Sequence, residues 1–537
     1  MRFVTELRFE ESPQRIRQLR LGTTLHDSQS PRTRRIVAPW GALLRGALHP
    51  AAARSNERAQ IIPSHGTSHR GTAPTTSPRR SLDLRVCDNI EAIAISIAMA
   101  LVLKFFIIEA YQIPTGSMQP TILGDPATGI KDRVLADKLI TMLRPPERWE
   151  VMIFRFPLDE RRLYVKRIVG LPGETLQVLG GDIWIDNGIA RKPDHVNESV
   201  LKHIAQSDGP MDVGRWFSTQ GAVEVEGTSA IFRNAGTPRL KLRHPVVDDF
   251  LHGFDPDWGM APMNSGDHVV PDLDVTLAAR LNAESESLRI IFEDDAGNTV
   301  FVLPRTGSSE TAHVMLPING TLQRIPIETE DGEPPRALPI DTDVEILARV
   351  VDRRLLLIVD GEEWLRYDDD ESGPRPQNPR RAGIAFEMPG GGRLSEITVQ
   401  RDIFYLSSTR PSLASPPKKW EIPDDSYFGM GDNTQFSHDS RSWRTATYTL
   451  RDGRVITGFD FPGGGWGRQP ADANPFAEQD GSLRFSDVHG DSIVFQRGDI
   501  VNESRHYEPF INQRFLLGKA GVVFWPVFDP FRWKLIR

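Results

Sequence analysis

Three short segments hold side chains whose types and spacing could do chemistry. The first, YQIPTGSMQPTIL at residues 111–123, sets Ser117 among Pro114, Gly116 and Pro120, which prevent regular helix and hold an irregular loop. The second, LYVKRIVGLPGE at 163–174, reads as an apolar strand interrupted by Lys166 and Arg167 and stopped by a Pro-Gly turn. Neighbours on a strand point to opposite faces, so one of this basic pair is expected to face solvent. The third, YFGMGDNTQFSHDSRSW at 427–443, is dense in polar side chains yet flanked by aromatics. A serine hydroxyl is a poor nucleophile until a base takes its proton, and a lysine near pKa 10.4 is charged and useless for that at neutral pH. Burial disfavours the ammonium and lowers its pKa by several units. Val165, Ile168 and Val169 offer Lys166 such a setting. A serine activated by a desolvated lysine needs no histidine, so the 13 histidines of the chain need no catalytic part.

These segments must be positioned by something, and the sequence before them is a membrane span. Residues 89–108, NIEAIAISIAMALVLKFFII, are long enough as a helix (~30 Å) to cross a hydrocarbon core. Glu91 and Lys104 lie near its ends, where charged heads reach the interface. The EAYQIP sequence that follows offers no small-x-small cleavage site, so the span reads as an anchor and not a leader. Arg79, Arg80 and Arg85 precede it, which keeps the N-terminus cytoplasmic and sends the rest of the chain outside. Residues 1–85 carry 15 arginines, no lysine and 6 acidic residues, a net of +9 that leaves −17 for the remainder of a chain of net −8. They read as a disordered basic tail attracted to anionic lipid, or as an over-extended gene start. A total of 537 residues allows several packing units, and the negative charge argues against nucleic acid as a partner. A single cysteine excludes an intrachain disulfide framework and a zinc site built on several thiolates.

The middle of the chain reads as β-structure. Leu273, Val275, Leu277, Ala279 and Leu281 alternate with polar residues, as do Val344, Ile346, Ala348 and Val350. LLLIV at 355–359 meets EEWLRY at 362–367 across Asp360-Gly361, a strong hairpin signal. RIIFEDDAGNTVFVL at 289–303 predicts a second hairpin, and IAFEM and SEITVQRDIFY complete a series of short strands. That series is the signature of a sandwich or jelly roll over residues 212–402. The run Asp368 to Glu371 could offer oxygen ligands to a cation, but solvated acidic loops are commoner, and no metal or cofactor is expected. The stretch FPGGGWGRQPADANPF, inside residues 445–508, reads as loop.

Four blocks in order, PTGSMQPT after a span, DRVLADKL at 132–139, YVKRIVGLPGE and GDNTQFSHDSR, resemble type I signal peptidases, the membrane-anchored Ser-Lys proteases. FLLGKAGVVFWP at 515–526 is similar to the family's closing strands, and the likeness covers about a quarter of the chain. The resemblance implies Ser117 as nucleophile and Lys166 as general base. It implies Thr115, whose hydroxyl joins the Ser117 backbone N–H at the oxyanion, and Ser437, which orients the lysine. Asp439 and Arg441 match a pair that buttresses the site. Ile113, Met118, Ile122 and Val165 match positions lining shallow pockets that admit small side chains. The implied fold is mainly β: a signal-peptidase-type catalytic β-fold with one N-terminal transmembrane helix and an inserted sandwich. Its expected parts are catalytic segments at 111–195, 420–444 and 509–537, the sandwich at 212–402 and a second insertion at 445–508. The sandwich hairpin is similar to concanavalin-like and laminin-G-like domains, for which a glycan is a known kind of ligand. The implied activity is removal of signal peptides from exported preproteins, outside the cytoplasmic membrane and in contact with its lipid. Two departures stand out: Thr434 follows Asn433 where many relatives have Arg, and the segment after Trp443 is delayed to Glu508-Pro509. The alternative reading is a membrane-anchored binding protein that uses the sandwich on a degenerate protease core.

Overall fold

The computed structural model describes residues 82–537 apart from 126–129, 206–210, 212–213, 219–221, 235–237, 252–261, 265, 330–333, 409–417, 462–472 and 526–532. Most of the basic tail and of the FPGGGWGRQPADANPF loop therefore lies outside the described residues. A helix, Leu82–Val102, runs into a π-helical turn, Leu103–Ile107, and then directly into a strand, Ile108–Gln112. Within it Asn89–Ile107 is long and apolar enough to cross a membrane, and none of that stretch is buried against the rest of the protein.

That strand opens an antiparallel sheet of eight strands among the described residues. Its order is Ile108–Gln112, Arg133–Asp137, Leu516–Trp525, Val151–Phe156, Asp159–Gly170, Ser426–Met430 and Ile511–Asn512, with Lys534–Leu535 beside Leu516–Trp525. Segments from both ends of the chain thus share one sheet. It is covered on both faces. Ile113, Met118, Val134, Ile153, Val165 and Val523 form one apolar cluster, and Met152, Phe154, Phe156, Ile168, Trp443 and Phe459 form another. Double coverage explains why Val151–Phe156 is apolar at every position but the exposed Arg155, and not alternating. It also overturns the expectation that one of Lys166 and Arg167 faces solvent: both are buried.

A four-stranded sheet, Trp420–Glu421, Thr175–Leu179, Asp182–Ile185 and Gly188–Ile189, follows, and a helix, Asp194–Val200, leads into the sandwich. One sandwich sheet runs Val223–Glu226, Ser229–Phe232, Gly392–Arg401, Leu273–Leu281, Val344–Val351, Arg354–Val359 and Glu362–Asp368. Lys202–Ala205 joins Gly392–Arg401, so strand structure begins ahead of residue 212. The other sheet runs Trp216–Ser218, Arg239–Leu242, Ala382–Glu387, Ser287–Asp294, Thr299–Pro304, His313–Ile318 and Thr321–Pro326. The alternating residues that predicted these strands point inward: Leu273, Val275, Leu277, Ala279 and Leu281 join Val344, Ile346, Ala348 and Val350 in one core. The Asp360-Gly361 turn has φ of 47° and 81°, the two positive values of a type I′ hairpin, and closes Val359 onto Glu362.

After Trp443 the chain leaves the eight-stranded sheet and comes back to the same point. Arg444 pairs with Tyr507, and the Glu508 N–H donates to the Trp443 carbonyl at 3.0 Å. Between them Arg444–Leu450, Val455–Phe459 and Ile500–Tyr507 make a three-stranded sheet, and Phe476–Ala477, Ser482–Ser486 and Ser492–Gln496 make another. Tyr448, Leu450, Phe485 and Phe495 pack between these strands, so the insertion has a small core of its own.

Candidate active site

The loop after the first strand reaches Ser117 through a single 3₁₀ turn, Gly116–Met118. Its two ends are stapled by Asp132. The Ile113 N–H donates to the Asp132 carbonyl at 2.9 Å, and the Leu123 N–H to its carboxylate at 2.7 Å. Asn433 holds the centre. Its N–H donates to the Ser117 carbonyl and its Nδ2 to the Gly116 carbonyl, each at 3.1 Å. In a trans peptide the C=O and N–H are antiparallel, so fixing the Gly116 carbonyl on Asn433 turns the Ser117 N–H away from that side.

Lys166 comes up from the strand Asp159–Gly170, and its Nζ lies 2.8 Å from Ser117 Oγ. Only 2% of Lys166 is exposed, and burial pushes its ammonium down to about 8. The Asp439 and Asp432 carboxylates oppose that shift and the Arg441 guanidinium assists it. About a tenth of such a lysine is neutral at pH 7 and able to accept a proton. Dyad and loop open on a cleft of about 450 Å³ whose walls include Ile113, Thr115, Tyr164, Val165, Phe436 and His438.

Beneath the dyad lie two fully buried ion pairs. Arg441 grips Asp439 through Nε and Nη2 at 2.8 and 2.7 Å, and donates to the Leu406 and Thr434 carbonyls, each at 2.8 Å. Burial works to raise the Asp439 carboxyl, but Arg441 outweighs it and holds it below the usual range. The second pair was not legible in the sequence. Arg167 forks onto Asp432 at 2.8 Å through both Nε and Nη2, and also donates to Thr121 Oγ1 at 3.1 Å and to the Trp149 carbonyl at 2.6 Å. It ties the serine loop, the lysine strand and the GDN segment together. Asn433, Arg167 and Asp432 stand inside the recognised blocks, and that was the only signal for them.

The expected residues divide as follows. Ser117, Lys166, Thr115, Ile113 and Val165 line the cleft together. Asp439 and Arg441 support it from below. Met118 and Ile122 are fully buried in the core under the loop and do not line the pockets expected of them, because that face of the loop packs on the sheet. Ser437 is buried, but its hydroxyl makes no hydrogen bond, so the expected bond to the lysine is not formed. The acidic run of the sandwich is engaged by arginines: Asp368 with Arg354, Asp369 with Arg353, and Asp370 with Arg191. Among the described residues the one carboxylate cluster close enough to share a cation is Asp182, Asp272 and Asp352, and Lys192 and Arg375 already sit among them.

A family model described as signal peptidase, peptidase S26, matches residues 86–221, the span, serine loop and lysine strand. Over 149 residues the chain is 30% identical to signal peptidase I of Leptolyngbya laminosa, covering 25% of this chain and 70% of that protein. The chain belongs to the type I signal peptidase family. It is also 32% identical over 166 residues to signal peptidase I of Pseudomonas fluorescens, covering 30% of this chain and 56% of that protein. The match thus spans about half the length of that relative. A solved structure, domain 4 of the extracellular arabinanase AbnA of Geobacillus stearothermophilus, covers 38% of this chain and 94% of its own at 11% identity and a TM-score of 0.24. At that score the likeness adds nothing to what the two packed sheets of the sandwich already establish.

Proposed function

We propose that this chain is a membrane-anchored serine endopeptidase that removes signal peptides from exported preproteins at small-x-small sites. The observation that carries the reading is the 2.8 Å contact between Lys166 Nζ and Ser117 Oγ, made where burial lowers the lysine. Neutral Lys166 takes the hydroxyl proton as Ser117 Oγ bonds to the scissile carbonyl carbon. The oxyanion is met by the Ser117 N–H and the Thr115 hydroxyl. The C–N bond then breaks, Lys166 returns its proton to the departing amine, and the mature protein leaves. Water, deprotonated by the same lysine, adds to the ester and releases the signal peptide and Ser117. Ser437, with its buried hydroxyl unengaged, steadies the lysine once it is charged. Ile113 and Val165 select small side chains by excluding larger ones.

In this reading Asn89–Ile107 anchors the chain in the cytoplasmic membrane, with the basic flank inside and the site on the outer, periplasmic face. Ser117 follows the span closely, which suits a substrate whose apolar segment is itself in the bilayer. A glycan ligand for the sandwich has less support. The groove of about 660 Å³ on its second sheet, lined by Arg289, Val300, His313 and Met315 among others, has no Trp, Tyr or Phe ring on which a sugar could stack. The test is cleavage of a preprotein bearing an Ala-x-Ala site by the detergent-solubilised chain, with Ser117→Ala beside it. A product with the mature N-terminus, absent in the variant, supports the peptidase. No cleavage of any of several preproteins by folded protein would sink it in favour of the anchored binding module.

A further inference from the structure

The active-site cleft is completed by the second insertion. Phe459, at the end of the strand Val455–Phe459, and Phe461 both line it, together with Tyr164 and His438. They are built into place. Asn474 donates through Nδ2 to the Phe459 carbonyl at 2.6 Å and pairs through its backbone with Phe461 at 2.6 and 2.8 Å. Asp460, between them, clamps Arg444 and Arg505 at 2.5 and 3.0 Å. The Phe459 and Phe461 rings stack at 5.7 Å, and both stand edge-on to His438, at 5.3 and 4.9 Å. His438 Nδ1 in turn lies 3.3 Å from the Tyr164 hydroxyl.

The cleft follows the edge of the lysine strand from Lys166 back to Arg162, whose guanidinium sits over the Phe459 ring at 5.8 Å. At Arg167 that strand is paired on both sides, but residues 163–166 are paired only with Val151–Phe156, so their outer edge faces the cleft. Four strand residues span about 13 Å, the length an extended peptide covers in four residues. We infer that Phe459 and Phe461 form a distal apolar subsite that takes an aliphatic or aromatic side chain about four residues from the scissile bond, on the apolar, signal-peptide side of the substrate. The inference rests on the proposed peptidase reading and adds to it a specificity element carried by the insertion.

Phe461, half-exposed at the cleft, is the position to test. Two preprotein peptides would be compared, identical except for Leu or Asp at the fourth residue before an Ala-x-Ala site. Both kcat/KM for the full detergent-solubilised chain and Kd for its Ser117→Ala form would be measured. The subsite requires the Leu peptide to be favoured roughly tenfold or more in each. Phe461→Ala should remove most of that preference, chiefly through KM, and Phe461→Leu should restore part of it. Equal handling of the two peptides by the unaltered chain, or a preference untouched by Phe461→Ala, overturns the inference. So does Phe461→Ala lowering kcat equally for both peptides, which is the mark of a merely structural ring. Preference in binding without cleavage would leave the subsite standing and remove the peptidase.

Discussion

At the scale of single residues, the site is a costly arrangement that the surrounding protein maintains. Lys166 is depressed to about 8 by burial, so its folded form releases its proton more readily than the unfolded form, near 10.5. In the proposed mechanism Lys166 acts when neutral, so kcat/KM should rise with pH through about 8 and fall away below it, as a pH–rate profile would show. The same shift costs stability below pH 8, about 3 kcal/mol as an order of magnitude, and the cost is relieved only as pH climbs from about 8 toward 10.5. Lys166→Met is accordingly expected to abolish turnover while raising the melting temperature of the solubilised protein at pH 7. A lower melting temperature would mean that the ammonium is better compensated than its burial implies. The opposite sign belongs to Arg167, whose loss strands Asp432 as a bare buried charge. Arg167→Met should destabilise by about 3–5 kcal/mol, read by thermal or denaturant unfolding. Gly431 is tighter still, since a Cβ there would lie 2.2 Å from Ser437 Oγ and 2.4 Å from the Ser117 carbonyl. Gly431→Ala should shift the serine loop and lower kcat about 100-fold, visible in single-turnover cleavage.

At the scale of elements, the loop at 431–441 is hydrogen-bonded to the sandwich and its connection. Thr434 Oγ1 donates to the Phe404 carbonyl at 2.7 Å, Arg441 to the Leu406 carbonyl, and Gln435 Nε2 to the Asp248 carbonyl at 3.3 Å. The Phe404 and Leu406 carbonyls come from the segment leaving the sandwich and the Asp248 carbonyl from a loop within it, so the insertion also contacts the site. Replacing residues 202–401 by a short linker should leave the catalytic sheet but lose most cleavage per folded molecule. Retained activity would reduce the sandwich to a spacer. This dependence could not be read from the strand pattern. Alternation reports which face of a strand is buried, and did so correctly for Leu273–Leu281 and Val344–Val351. It is silent on backbone groups that bridge units about 30 or 190 residues apart.

At the scale of the whole molecule, the junction between the four-stranded sheet and the sandwich is sealed by charge. Lys192 meets Asp352 at 2.6 Å and Asp402 at 2.8 Å, and Arg375 meets Asp272 and Asp294 at 2.9 Å. Burial pushes the Asp402 carboxyl up to about 7 and raises Asp182 as well. A carboxyl raised on folding binds more protons folded than unfolded, so it favours the folded state most at low pH and loses that advantage as pH rises from about 4 through 7. Carboxyls held low, such as Asp439, act the other way, but only below about pH 4. Buried His438, pushed down to about 3, acts against this trend below pH 6.5, so the comparison is with Asp402→Asn. Relative to that variant, the melting temperature of the unaltered chain should fall between pH 5 and pH 7.5, and a constant difference would show that Lys192 and Arg375 fully neutralise the cluster.

The amino-acid sequence by itself singled out Ser117 and Lys166, a stretch long and apolar enough to span a membrane, and two hairpins of the sandwich. These are local or periodic properties: a serine in a loop, a lysine among β-branched residues, a largely apolar run of 20 residues, alternation, an Asp-Gly turn. Only the tertiary structure decided that Lys166 and Arg167 are both buried, because that depends on what covers each face of their strand. It also decided that Asn433 holds the serine loop across 317 positions, that Met118 and Ile122 face the core, and that Phe459 and Phe461 wall the cleft. Each of those follows from which distant segment fills the space beside a residue, and spacing along a chain carries no record of that.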